Sequence, residues 1–196
     1  MSTLKLHTVQ TVDHLSTPSE PTGLTLESPA LLFFTDFQKT PPLTINWDLS
    51  AIDAKSIMIS THVRLKFVTD NGGHFIGIIT ADSLADRKVI QKVSQGSERS
   101  EILVTDLMTC KSELKALDYD EVAKSRISDV ISTLKDSGEQ HCLVICQKDH
   151  EIRGIISASD ISRKLHLPIF IQSASSFYRV FSATNTSNPL KMRHSI

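Results

Sequence analysis

A serine and an aspartate three residues apart, Ser157 and Asp160, are the residues of this chain best placed to do chemistry. They follow the apolar pair 155–156, which we expect to end a buried strand, so hydroxyl and carboxylate should lie at one rim of a sheet. A carboxylate can accept hydrogen bonds from both hydroxyls of a ribose, and the N–H groups at a helix start can bind a phosphate. Arg163 and Lys164, one turn further on, could supply cationic partners.

The same spacing is also that of a capping box, in which a hydroxyl and an acid three residues later close the first turn of a helix. Asp160 would then only stabilise the helix start, by about 1 kcal/mol. Arg163 and Lys164 would be a solvated helix face. The residues alone favour capping.

The segment that carries this pair occurs twice in the chain, 77 residues apart. Residues 77–84 read GIITADSL and residues 154–161 read GIISASDI. A repeat of this kind predicts two copies of one small unit that pack together and share a cleft. In the first copy Ser83 stands where the second has Asp160, so we expect a weaker or empty first pocket. Its candidate residues are Thr80, Ser83 and Arg87.

Periodicity and turn signals predict the same order of elements in both units: strand, helix, strand, strand, helix. The first unit is expected to have strands at 43–45, 65–68 and 75–79, and helices at 50–61 and from 80 or 82 onward. The second is expected to have strands at 114–117, 142–146 and 152–156, and helices at 128–137 and 159–165. The first helix should begin at Asp48 or Ser50 and bury Ile52, Ala54, Ile57 and Met58.

A gapless register at an offset of 77 pairs Leu65 with Cys142 and Phe67 with Val144. Further upstream, residues 35–37 match residues 105–107 at an offset of 70. The difference predicts about seven extra residues in the second unit, within 111–121.

The two units resemble a tandem pair of CBS domains, the cystathionine-β-synthase type repeat. The resemblance rests on Asp106–Thr109 (DLMT), on the strand at 143–146, and on residues 154–161, which match the closing motif G-h-h-[ST]-x-x-D-h in full, where h is apolar. The first unit matches as far as Thr80 and then departs at Ser83. The resemblance covers about residues 34–168.

This resemblance implies an α/β (α+β) fold of two CBS repeats packed as a pseudo-symmetric pair. The expected parts are an arm (1–31), repeats at 32–93 and 102–168, a linker (94–101) and a tail (169–196). The resemblance also implies that an adenine nucleotide, AMP, ADP or ATP ahead of S-adenosylmethionine, binds between the repeats. The nucleotide-binding residues implied are Asp160, Ser157, Ile155, Arg163, Lys164, His141 and Thr109.

A regulatory role, a homodimer and an unidentified regulated protein are further implications of the resemblance. The alternative is a dimerisation or interaction module that binds no small ligand. We do not expect an enzyme or a cofactor, because the sequence holds no HExxH, no phosphate-binding glycine loop and no C-x-x-C pair.

Charge and composition exclude other classes of function. The net charge of −1 provides no positive field for nucleic acid or an anionic membrane. No apolar run approaches the length of a membrane-spanning helix, and the first residues do not form a secretory leader, so we expect a cytoplasmic protein.

Cys142 and Cys146 should be core residues of a strand rather than metal ligands. In the arm, 4–6 could add an edge strand; the apolar stretches 169–171 and 177–181 could cover the surface or join a dimer.

Overall fold

The computed structural model describes residues 8, 10 and 23–171. The predicted edge strand at 4–6 and the apolar stretch at 177–181 lie outside these residues. In chain order the elements are β1 Phe34–Asp36, β2 Thr44–Asn46, α1 Ala51–Ser60, β3 Leu65–Thr69, β4 Phe75–Thr80, α2 Asp86–Ser94, α3 Val104–Leu107, β5 Thr109–Cys110, β6 Ala116–Asp118, α4 Tyr119–Val122, α5 Ile127–Ser137, β7 His141–Cys146, β8 Glu151–Ser157 and α6 Ala158–Leu165. Within the described part of the chain, no helix is long and apolar enough to cross a membrane.

The predicted order of strand, helix, strand, strand, helix is confirmed in both units. Ser50, not Asp48, caps α1: its hydroxyl accepts from the Asp53 N–H at 3.1 Å. Gly138 ends α5 with a left-handed φ of 69°. The turn predicted after β3 also forms, because the Asp70 carboxylate accepts from the N–H groups of Gly72 and His74.

Each repeat supplies the edge strand of the other repeat's sheet. One sheet has the order β2-β3-β4-β5 and the other has the order β1-β8-β7-β6. β5, which begins the second repeat, pairs with β4 of the first, and β1, which begins the first repeat, pairs with β8 of the second. The two repeats are therefore joined by backbone hydrogen bonds as well as by packing.

The glycine of the repeated motif lies under these exchanged strands. A Cβ atom added to Gly154 would lie 2.1 Å from the carbonyl oxygen of Thr35 in β1. A Cβ atom on Gly77 would lie 2.4 Å from the carbonyl oxygen of Thr109 in β5. Any side chain at either position would push the exchanged strand away.

Three apolar clusters hold the layers together. One lies between α1, α2 and the first sheet, and another between α5, α6 and the second sheet. The third lies between the two sheets and centres on Phe67, Ile78 and Leu143. Phe67 makes an edge contact with Phe37, which follows β1, with ring centroids 5.1 Å apart.

An ion pair fixes the end of β1 on its host strand. Arg153 of β8 donates to both carboxylate oxygens of Asp36, from Nε at 2.8 Å and from Nη2 at 3.0 Å. Both side chains are largely buried, and the guanidinium also lies 4.8 Å from the ring centre of Tyr119. The pairing lowers the pKa of Asp36 to about 2, mainly through the Arg153 hydrogen bond.

The start of the second helix of the first unit was predicted wrongly. α2 begins at Asp86, and residues 81–85 form a turn instead. The Thr80 hydroxyl accepts from the Ser83 N–H at 3.1 Å, and this local bond competes with helix formation. Asp82 is therefore in a turn and not in a helix.

The gapless register was also wrong. Val68 pairs with Gly77 and Val144 pairs with Gly154, so β3 and β7 correspond at an offset of 76 and not 77. Leu65 therefore corresponds to His141 and Phe67 to Leu143. The hairpin of the second unit is one residue longer, and a gapless alignment of the two sequences does not show this difference.

Upstream, Thr35 corresponds to Thr109 rather than to Thr105. Thr35 pairs with Ile155 and Thr109 pairs with Ile78, and these two isoleucines occupy equivalent positions in the repeated motif. Seven residues separate β6 from the N-cap of α5, Arg126, whereas three separate β2 from the N-cap of α1, Ser50. The second unit thus has four extra residues at 119–125, where α4 forms, and not about seven within 111–121. The match of residues 35–37 with residues 105–107 is short, and the strand pairing that contradicts it cannot be seen in the sequence.

Two helices bury fewer apolar residues than their spacing predicts. In α1 the inward residues are Ala51, Ala54 and Met58, while Ile52 and Ile57 are exposed. In α2 only Val89 is buried. Of the two cysteines predicted in the core, Cys142 is buried, which raises its pKa to about 11, but Cys146 is half-buried and contacts Asp149.

The close approach at Gly154 leads to a test of the strand exchange. Gly154→Ala should lower the free energy of unfolding by about 2 kcal/mol, because the new methyl group overlaps the β1 backbone. Denaturant titration measures this. Gly72→Ala is the matched control, since its Cβ would meet side-chain atoms and no backbone: the exposed ring of His74, which can move away, and Oδ1 of Asp70 at 3.3 Å. Equal stability of the Gly154→Ala and Gly72→Ala variants would contradict the expected role of Gly154.

Candidate functional site

A cleft of about 950 Å³ opens between the two repeats. Its apolar floor includes Ile78, Leu143 and Ile155, which all belong to the cluster between the sheets. Its rims are the segments that follow β4 and β8 and those that precede β3 and β7. The repeated motif therefore occupies both sides of one cleft, as the repeat predicted.

Most of the predicted site residues line this cleft. They are Thr80, Ser83 and Arg87 from the weaker pocket predicted in the first repeat, and Ile155, Arg163, His141 and Thr109 from the predicted nucleotide-binding set. Asp160, Ser157 and Lys164 are not among the lining residues.

Asp160 lies in the first turn of α6, next to residues that line the cleft. Its neighbours Ser159 and Arg163 both line the cleft. The Arg163 guanidinium donates to an oxygen of Asp160 at 2.9 Å, and the arginine side chain is 75% exposed against 37% for the aspartate. An exposed pair within one helix is weakly held, so a competing anion could separate it.

Ser157 occupies the N-cap position of α6, but its hydroxyl makes no capping hydrogen bond. Instead it lies 2.7 Å from the hydroxyl of Ser159, which faces the cleft. The capping box that the spacing favoured does not form. The pair of hydroxyls is a polar contact at the rim that the sequence did not reveal.

The side chain of Lys164 contacts the segment before β1 instead of lining the cleft. Its ammonium group donates to the carbonyl oxygen of Leu32 at 2.7 Å and lies 5.8 Å from the ring centre of Phe33. Lys164 thus holds the turn before β1 on the second sheet. Of the two cations predicted there, only Arg163 is available to a ligand in the cleft.

Thr109 lies in the other half of the cleft from the one predicted. It was grouped with Asp160, but β5 pairs with β4, so Thr109 lies beside Ile78 of the first repeat. Thr80 and Ser83 complete this half, with their hydroxyl oxygens 3.0 Å apart. Ser83 is 5% exposed, and this hydroxyl pair takes the place of the carboxylate found in the second repeat.

His141 is a half-buried residue of the cleft wall whose ring nitrogen Nδ1 is buried. Its Nδ1 atom has no hydrogen-bond partner among the described residues. Burial lowers the pKa of His141, although the charges of Asp160 and Asp82 act in the opposite direction. The imidazole is therefore neutral near pH 7 and can exchange a hydrogen bond with a ligand.

The rim of the cleft carries more positive than negative charge. Its cations are Arg64, Arg87, Lys88, Lys115 and Arg163, and its carboxylates are Asp82, Glu113 and Glu139. Two of the cations, Arg64 and Lys115, and two of the carboxylates, Glu113 and Glu139, belong to segments that the sequence did not connect with the site. Only the position of Arg64, immediately before β3, gave a signal that could have been used.

The molecule is thus a tandem repeat with exchanged edge strands and a cleft built from the repeated motif. A model of the CBS domain matches residues 35–89 and 100–167. The two matches together make up more than half of the chain, and the chain belongs to the CBS-domain family. No curated protein matches it.

Solved structures share the fold at low sequence identity. An uncharacterised conserved protein from Pyrococcus horikoshii is 18% identical with a TM-score of 0.52, over 75% of this chain and 98% of that chain. A conserved CBS domain protein of unknown function from Thermoplasma acidophilum is 22% identical, with a TM-score of 0.47, over 66% and 68%. CBSX2, solved in complex with AMP, is 19% identical with a TM-score of 0.48, over 69% and 93%.

The unpaired nitrogen of His141 leads to a test based on its counterpart Leu65. His141→Leu should raise the free energy of unfolding at pH 5.5 by about 1 kcal/mol, because it removes a buried polar atom that has no partner. The folded-state pKa lies below the unfolded value of about 6.5, so wild-type stability should fall as pH decreases through that range.

This acid-induced loss should be smaller in His141→Leu, and urea titrations between pH 7.5 and 5 measure it. The reciprocal variant Leu65→His is the control and should gain acid sensitivity. An unchanged pH profile in His141→Leu would show that this histidine is not held neutral by burial.

Proposed function

We propose that this CBS pair is a regulatory module that binds an adenine nucleotide in the cleft between its repeats and does not catalyse a reaction. The observation that carries the proposal is the cleft itself, which has an apolar floor, a net positive rim and walls from both repeats. A planar base fits the floor, and phosphates fit the rim.

Arg163 and Asp160 would bind different parts of such a ligand, the phosphate and the ribose. A phosphate would attract the Arg163 guanidinium away from Asp160, since their exposed pairing is weak. The released carboxylate could then accept hydrogen bonds from the ribose hydroxyls. The second half of the cleft would therefore bind the nucleotide more tightly than the first, where Ser83 has no charge to offer.

The charge of the rim favours AMP, ADP and ATP over S-adenosylmethionine. The five cations and three carboxylates of the lining leave an excess of positive charge. Phosphates are attracted by this excess, whereas the sulfonium group of S-adenosylmethionine is repelled by it. Bound ligand would contact both sheets, and a change in their packing is how we propose that the module signals to the protein it regulates.

A second candidate function, self-association without a ligand, is favoured by a different surface. Ile52 and Ile59 of α1 are 47% and 64% exposed, and Ile90 of α2 is 61% exposed. The ion pair between Lys55 of α1 and Asp86 of α2 connects the two helices, and we refer to the three exposed isoleucines together as the apolar surface. We propose that this surface is the contact of a homodimer.

Calorimetric titration with AMP, ADP, ATP and S-adenosylmethionine tests nucleotide binding. Asp160→Ala should weaken AMP binding at least tenfold, because the ribose loses its acceptor. Asp82→Ala, in the first half of the cleft, is the matched control and should change affinity little. Micromolar affinity retained in Asp160→Ala would overturn the assignment of the site. Absence of binding by all four ligands would overturn the nucleotide proposal.

Light scattering after gel filtration tests the dimer. Ile59→Asp should convert a dimer to a monomer, because a charge would be buried in the apolar contact. The counterpart of Ile59 in α5 is the exposed Lys135, and Lys135→Glu is the control that should leave the dimer intact. A monomeric wild-type protein at micromolar concentrations would contradict this candidate function.

A further inference from the structure

The chain that leaves α6 adds a third wall to one half of the cleft. Ile169, Phe170 and Ile171 all line the cleft, although they follow the last residue matched by the family model. The segment that follows α2 in the first repeat, residues 95–103, contributes nothing to the lining. The wall is therefore particular to the half of the cleft that holds Arg163.

The three side chains of this segment differ in burial. Ile169 and Ile171 are partly buried and pack against the core of the second sheet. Phe170, between them, is 81% exposed and is the most exposed large apolar residue among those described. Phe170 also belongs to the cleft lining, so the packed isoleucines on either side hold its exposed ring beside the cleft.

An aromatic ring held in this way is suited to contact a flat ligand. Its own exposure shows that it does not fill the cleft, so it does not block entry. A base that entered beside Arg163 would cover the ring and gain a stacking contact, which is independent of the identity of the base.

We propose that Phe170 stacks on the base of the nucleotide and, with Arg163, makes the second half of the cleft the binding half. This inference rests on the proposed function, since it names a further residue of the same site. It assigns the base to Phe170, the phosphate to Arg163 and the ribose to Asp160, so that the tail of the chain takes part in recognition.

Titration of AMP into Phe170→Ala tests this assignment. The variant should bind AMP about tenfold more weakly than the wild-type protein, whereas Phe170→Trp should bind at least as tightly. Leu43→Ala is the matched control: Leu43 is 52% exposed, lies outside the cleft lining and should leave AMP affinity unchanged. The thermal midpoint of Phe170→Ala should equal that of the wild type, because the side chain is exposed.

Fluorescence gives an independent readout. The chain has one tryptophan, Trp47, which does not line the cleft. In a Trp47→Phe background, Phe170→Trp places the only indole at the cleft, and AMP should quench its emission with the same midpoint as the calorimetric titration.

Each outcome bears on a different claim. Wild-type affinity in Phe170→Ala, tighter binding in that variant, or an indole that AMP does not affect would overturn the role of Phe170 and leave the proposed function intact. Failure of the wild-type protein to bind AMP, ADP or ATP would overturn both. Weaker binding in Phe170→Ala, together with quenching, supports the stacking contact.

Discussion

The exchange of edge strands between the two repeats is the constraint on which the rest of this structure depends. β1 reaches across to β8 and β5 reaches across to β4, so neither sheet is complete without the other repeat. The repeated motif requires glycine at 77 and 154, because the exchanged strands pass within contact distance of these positions. Arg153 holds β1 in place through its hydrogen bonds to Asp36. The floor of the cleft is the apolar layer that this exchange forces together.

The two halves of the cleft share this frame but present different groups to a ligand. Both halves have a hydroxyl at the end of a strand, but the first repeat follows it with a tight turn closed by Thr80 and Ser83. The second repeat passes directly into α6, which brings Arg163 to the rim, where it is paired with Asp160. Phe170 then extends the same half. The difference between the two halves of the cleft thus arises from the local hydrogen bonds of the Thr80–Ser83 turn and from the residues that follow α6.

Much of this fold could be predicted from the sequence, because the repeat, the turns and the caps are local signals. Ser50, Gly138 and the Asp70 turn each carry their own structural information within a few residues. The register of β3 against β7 could not be obtained in this way, since a one-residue difference in hairpin length leaves the sequence pattern intact. The position of Thr109 depends on strand exchange, which joins residues distant in the chain.

For the site, residue type was a better guide than spacing. Ile155, His141 and Arg163 line the cleft as predicted, whereas the orientation of Lys164 depends on the Leu32 carbonyl, which no local pattern indicates. The spacing of Ser157 and Asp160 favoured a capping box, but a nearby hydroxyl, Ser159, satisfies the serine instead.

The crossing of β1 and β5 also means that the unit repeated in the sequence is not the unit that folds. A fragment that contained one repeat would carry the edge strand its partner requires and would lack the one that it needs itself. Its own sheet would expose an unpaired edge, which tends to recruit a strand from another chain. The two halves of this protein are therefore complementary, and duplication of the sequence has produced mutual dependence between its copies.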